Sequence, residues 1–150
     1  MSSYVFPLEA VRKIRRHRLE LCEQLLGYVM GEARRLDERK NELQSLRNQQ
    51  LSEIRTGTEL GAVDIDGAAS RRYYAGRLSG DIVEIEHHRR IVGQQWELCR
   101  QAIVRAEQEL KVIDKIAQRR EDEFHLQQER KEQFEREETW QAIHLTMGGS

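Results

Sequence analysis

Glu84 and His88 stand four residues apart in the stretch EIEHH, a spacing that puts a carboxylate and an imidazole on one helical face within reach of a shared metal ion. Two ligands are too few for a structural metal site, so a surface ion pair is the simpler reading. Cys22 and Cys99 are far apart in the chain and form neither a CxxC unit nor a disulfide framework by local spacing. In a reducing compartment they act as small apolar residues. The chain has no Gly-rich phosphate loop, no HExxH and no nucleophile elbow, and the expectation is a non-enzyme without metal or cofactor. The remaining chemistry is charge. Arg12, Lys13, Arg15, Arg16 and Arg18 crowd into the stretch RKIRRHR near the start of a chain whose net charge is only -1.

The elements that position these residues follow from composition and period. Of the 150 residues, 34% are charged, 6% are aromatic and one is proline, too few apolar groups for a thick core. Charges of both signs are interleaved throughout, which suits long solvent-exposed helices and argues against a general nucleic-acid binder. No run approaches the roughly 18 uncharged apolar residues of a membrane span, and the first residues are too charged for a signal peptide. A cytoplasmic protein without direct membrane insertion is expected.

Pro7 can open a helix, because its missing N–H would be unsatisfied there anyway. From Leu8 onward, steps of three and four residues meet Val11, Cys22, Leu25, Val29, Leu36, Leu43 and Leu46, with Arg15, Arg18, Glu32 and Arg39 as exceptions. That is the seam of a coiled coil. The pattern fades near Thr56, and TGTELGAVDIDG (Thr56 to Gly67) is the one break, with Asp64 or Asp66 available to cap the next helix. A second seam runs through Leu78, Ile82, Ile85, Arg89, Val92, Trp96, Cys99, Ile103, Ala106, Leu110, Ile113, Ala117, Arg120, Phe124 and Phe134.

These patterns predict an all-α fold in a single domain over 1–150. Helix one covers about 5–56, a turn about 57–65, helix two about 66–143, and a flexible tail 144–150. A short turn makes the helices antiparallel neighbours. With the turn centred near Gly61, facing positions sum to about 121. That register sets Leu8 against Ile113, Val11 against Leu110, Cys22 against Cys99, Leu25 against Trp96, Val29 against Val92, Leu36 against Ile85, Leu43 against Leu78, and Glu32 against Arg89. Helix two then outruns its partner and protrudes, while Ala117, Phe124 and Phe134, with Trp140 and Ile143 nearby, continue an apolar stripe. Such an unpaired stripe marks a surface for another protein.

The opening FPLEAVRKIRRHRLEL (Phe6 to Leu21), a central hinge, and the closing KVIDKIAQRREDEFHLQQERKEQFEREE (Lys111 to Glu138) resemble the FliJ family of flagellar type III export proteins. The resemblance covers most of the chain and lies in helix pattern and charge rhythm. It implies a two-helix antiparallel coiled coil like the gamma subunit of rotary ATPases, acting as stalk and general chaperone. The paired termini would enter the pore of the hexameric export ATPase. Further implied partners are the cytoplasmic domain of the membrane export gate and export chaperones, with a place at the inner membrane of the flagellar base. The family carries an Asp-Glu and a small apolar residue near its end; this chain has Glu137-Glu138-Thr139-Trp140 there.

The basic run gains meaning beside that resemblance. In the register above, Arg15 and Arg18 sit on the seam with their stems over apolar surface, Arg12 lies beside Glu107, and Lys13 and Arg16 point outward. Cations near a helix N-terminus oppose the macrodipole, a local cost that suits a docking patch for an acidic partner. Nucleic acid fits worse, because no aromatic residues are interleaved for stacking. Phe124, Phe134 and Trp140 would meet an apolar bore. The competing reading is a coiled-coil adaptor or tether that dimerises through its C-terminal overhang and has no part in secretion.

Overall fold

A computed structural model describes residues 3–59 and 65–148. Two helices account for nearly all of them, α1 (Glu9–Glu59) and α2 (Ile65–Gly148), packed against each other with no strand among the described residues. The fold is all-α.

α1 starts later than its periodicity suggests. Pro7 and Leu8 form a turn in which the Glu9 amide donates to the Phe6 carbonyl at 3.1 Å, and the first α-type bond follows from the Arg12 amide to the Leu8 carbonyl at 3.0 Å. Proline presets the backbone for such a turn. α1 also ends later, at Glu59. The Thr56 and Thr58 hydroxyls donate back to the carbonyls of Ser52 and Ile54, both at 2.9 Å, and the Thr-Gly-Thr stretch is carried as helix. Gly61 and Asp64 lie outside the described residues, and Asp66 falls within the first turn of α2. Helix continues to Gly148, where a tail was expected from residue 144.

The chain forms two compact units, residues 21–103 and residues 1–20 with 104–150. In the unit 21–103, Val29, Leu36, Val92 and Cys99 form a core with Leu26, Ala33 and Ile85 packed on it. Leu43, Leu78 and Ile82 form a second layer set, again joined by Ile85. Residues later in α1 meet residues earlier in α2, so the helices run antiparallel. Each buried Leu, Ile or Val contributes about 1.5–3 kcal/mol.

The expected partners Val29 and Val92, Leu36 and Ile85, and Leu43 and Leu78 share clusters, whereas the ion pairs between the helices sit about a helical turn from the expected register. Asp37 pairs with Arg89 at 3.0 Å and Lys40 with Glu86 at 3.3 Å, so facing positions sum to about 126. Arg71 also pairs with Glu53 in this unit. Glu32 therefore does not meet Arg89; it binds Arg35 of its own helix at 2.6 Å. Leu25 is 56% exposed, and its place on the seam is taken by Leu26. Trp96 is correspondingly half exposed. Cys99 is buried in this core, and both it and the partly buried Cys22 are free thiols.

In the unit of the two chain ends, Phe6, Ile113 and Ala117 are buried together, with Tyr4, Leu8, Val11, Leu110 and Ile116 against them. The non-helical residues before Glu9 thus form part of this core. From residue 129 to 148 every side chain is exposed.

Candidate functional site

The sequence-predicted site has two halves, the basic run on α1 and the aromatic stripe on α2, and both belong to the unit of the chain ends. Three of the five cations are engaged with α2. The Arg12 Nε donates to Asp114 Oδ1 at 2.8 Å, and its Nη1 lies 3.6 Å from Glu9 Oε2. Arg12 therefore does not lie beside Glu107, the same displacement of register seen elsewhere. The Arg15 guanidinium donates to the Glu109 carbonyl oxygen at 2.9 Å, and that of Arg18 to the Glu109 carboxylate at 3.1 Å.

These contacts change the electrostatic reading. Glu9, Glu109 and Asp114 offset the cations that would otherwise oppose the dipole at the start of α1. Lys13 and Arg16 are exposed and make no ion pair among the described residues, so the outward-facing charge of the run is carried by these two, with Arg18 partly available. His17 lies 4.0 Å from Glu20 on the same exposed side of the helix.

The aromatic half is divided. Ala117 is buried against Phe6, and Phe124 meets the ring of Tyr4 at a centroid separation of 5.3 Å, tilted by 40°. The Arg120 guanidinium lies 6.0 Å from the Phe6 ring centre, at the limit of a cation–π contact. Ala117 and Phe124 are thus covered by the chain's own N-terminal segment, contrary to the expected free stripe. An extended segment rises about 3.3 Å per residue against 1.5 Å for a helix, so a few residues before Glu9 reach further along α2 than a helix could. The Tyr4 hydroxyl is buried without a hydrogen-bond partner among the described residues, a local cost of about 1–3 kcal/mol. Tyr4 is the site residue that the periodicity missed, because it precedes the helix and belongs to no heptad.

Phe134 and Trp140 remain 60% exposed. Trp140 stacks on His144 at 4.2 Å and 20°, with Ile143 exposed on the adjoining turn. Leu145 and Met147 are exposed as well, so the last turns of α2 carry more open apolar surface than the expected end at residue 143 allowed.

Elsewhere the described residues offer no reactive constellation. No group of three or more His, Cys, Asp or Glu side chains converges on a metal position, and Glu84, His87 and His88 are exposed. A shallow groove at Met30, Ala33, Asp37, Arg89, Gly93 and Trp96 contains no nucleophile beside a base. The Glu97 carboxyl is held below its ordinary range by the hydrogen bond from Arg100, an exposed pair within one helix. No helix is long and apolar enough to cross a membrane among the described residues.

The model of the flagellar FliJ protein family matches residues 4–140 continuously. The chain belongs to the FliJ family. It is accordingly a helical, coiled-coil component associated with flagellar protein export, in a family that is a non-catalytic part of the type III export system. The match begins at Tyr4 and ends at Trp140, so it includes both the N-terminal segment that packs on Phe124 and the exposed aromatics of α2. No curated protein and no solved structure matches the chain.

Proposed function

We infer that this FliJ-family chain acts as a stalk of the flagellar export apparatus, joining the hexameric export ATPase to the cytoplasmic domain of the membrane gate. The observation that carries this reading is the family match over residues 4–140, which takes in most of the unit of the chain ends. That unit presents two kinds of open contact. Lys13 and Arg16 offer uncompensated positive charge to an acidic surface, and Phe134 and Trp140 offer apolar surface on the last turns of α2. Arg12, Arg15 and Arg18 play a different part in this reading: they fasten α1 to α2, so that the open cations are held in place.

A two-helix member of a non-catalytic family acts by binding, and its effect on the ATPase would be assembly of the ring or faster turnover. Export chaperones would engage the same chain on the cytoplasmic side of the flagellar base. ATP hydrolysis by the export ATPase of the same organism, measured with and without this protein alongside light scattering, tests the reading. Stimulated turnover with a new hexamer-sized species is expected. No change in either, with the protein folded and helical, would contradict it.

A further inference from the structure

The segment before α1 is attached in a way that lets it lift without breaking a helical hydrogen bond. Among the described residues, Ser3, Tyr4 and Val5 make no backbone hydrogen bond. The first one joins the Glu9 amide to the Phe6 carbonyl, at the turn where Pro7 and Leu8 lead into α1. Side chains alternate before that turn as in an extended chain: Tyr4 and Phe6 pack on α2, and Val5 between them is 76% exposed. Two aromatic rings therefore carry the attachment, with the Arg120 guanidinium 6.0 Å from the centre of the Phe6 ring.

Phe6 closes over Ile113 and Ala117, and Tyr4 over Phe124, whereas from residue 129 to 148 every side chain of α2 is exposed. Tyr4 thus sets where the open surface of α2 begins. With the segment lifted, that surface reaches back through Phe124 to Ala117, and Ile113 keeps only its cover from Leu8 and Val11. Ala117 and Phe124 are one heptad apart, and Ile113 and Phe134 three, so these residues share the seam columns of α2 with Gln127 and Lys131 between. The attachment is weakest at its tip. The Tyr4 hydroxyl loses its hydration on closing and gains no partner among the described residues. Fixing the backbone of residues 3–6 costs chain entropy as well, and burial of the two rings is what offsets both costs.

We propose that residues 3–6 are a strap, hinged at Pro7, that gates the apolar contact of α2. The strap is closed in this structure, and it opens when a partner takes the place of Tyr4 and Phe6 on Phe124 and Ala117. The rings of the strap show the chemistry that this face accepts, so the displacing element is apolar and aromatic. The gate rests on the stalk reading for its partner, the export ATPase. Strap and partner compete for one face, so the apparent affinity is reduced by the fraction of chains whose strap is open. A phenylalanine at position 4 would make the same ring contact without burying a hydroxyl and would hold the gate shut. The tyrosine keeps the closed form within reach of opening.

The test reads opening and binding separately on the full chain. Chymotrypsin cleaves after Tyr4 only when the segment has left α2, so the cleavage rate follows the open fraction. Pro7 bars cleavage after Phe6, and a synthetic peptide of residues 1–12 gives each variant's unprotected rate. Relative to its peptide, Tyr4→Phe is expected to be cut at least about fivefold more slowly than the unaltered chain. Phe6→Ala is expected to be cut at least about tenfold faster, and Tyr73→Phe, exposed in the other unit, at the unaltered rate. Affinity for the export ATPase, compared at equal helicity by circular dichroism, is expected to fall in Tyr4→Phe and rise in Phe6→Ala by similar factors. Equal corrected cleavage of Tyr4→Phe and the unaltered chain would overturn the proposal, as would ATPase affinity indifferent to both substitutions. Binding of the ATPase by none of the chains would instead overturn the stalk reading and, with it, the partner assigned to this gate.

Discussion

The two units of this chain solve the same packing problem differently. In the unit 21–103 the core is a regular heptad seam, with Val29, Leu36 and Leu43 interleaving with Val92, Ile82 and Leu78. In the unit of the chain ends the seam carries arginines, and its burial comes from Phe6 of the non-helical N-terminal segment covering Ile113 and Ala117. The first arrangement is held by layers that repeat, the second by a strap and a set of charge-assisted hydrogen bonds. Cooperative unfolding should therefore centre on the middle of the helices, while the terminal unit opens locally at lower cost.

The largest effect should come from Leu36→Ala, which opens a cavity among Val29, Val92 and Ile85 and costs about 2–4 kcal/mol in urea unfolding. Phe6→Ala should show the contrast. It is expected to move the global midpoint less and instead to speed hydrogen exchange at residues 113–124, where Phe6 and Tyr4 provide the cover. Equal global losses for the two substitutions would break the distinction between the units.

An intermediate effect is expected at glycines in the regular unit. An added Cβ at Gly27 or Gly31 meets nothing within 4 Å, so Gly27→Ala and Gly31→Ala should each stabilise α1 by about 0.5–1 kcal/mol, read as a higher Tm. Destabilisation instead would show that the outer face of α1 is covered. In the terminal unit, a double-mutant cycle on Arg12→Gln and Asp114→Asn should return a coupling of about 0.5–1 kcal/mol for the partly exposed pair. A cycle on Arg12 and Glu107 should return none.

How much of this was legible in the sequence differs between the helices. The seam of α2 was readable where its apolar residues have charged neighbours on both sides, as Ile85 and Ala106 do. In α1 the adjacent Leu25 and Leu26 both satisfy a step of three or four from Cys22, and the spacing alone does not choose. A signal was present: a column through Leu19, Leu26 and Ala33 avoids the exceptions at Arg18 and Glu32 that the other column needed. The end of α1 was placed too early because threonine and glycine read as breakers, whereas Thr56 and Thr58 bond back to their own helix. At the site, periodicity located Phe134 and Trp140, yet gave no view of Tyr4 and Phe6 folding over Phe124 and Ala117. Contacts made by a non-helical segment carry no period.

The smallest effect concerns acid. The Glu97 carboxyl lies below its unfolded value because Arg100 bonds to the charged form, so its contribution is present above the unfolded pKa and fades as pH falls through the folded one. Arg100→Gln should slightly flatten the acid limb of stability against pH, and an unchanged limb would mean that this exposed pair is fully screened.

The family match carries the stalk reading, and the open charge of the terminal unit is the contact through which one measurement tests it. Lys13→Glu with Arg16→Glu reverses the two cations of the basic run that make no ion pair among the described residues and leaves Arg12, Arg15 and Arg18 on α2. The affinity of this variant for the export ATPase of the same organism, compared with the unaltered protein at equal helicity, should fall at least about tenfold, with a steeper loss at low salt. Unchanged affinity would contradict the account.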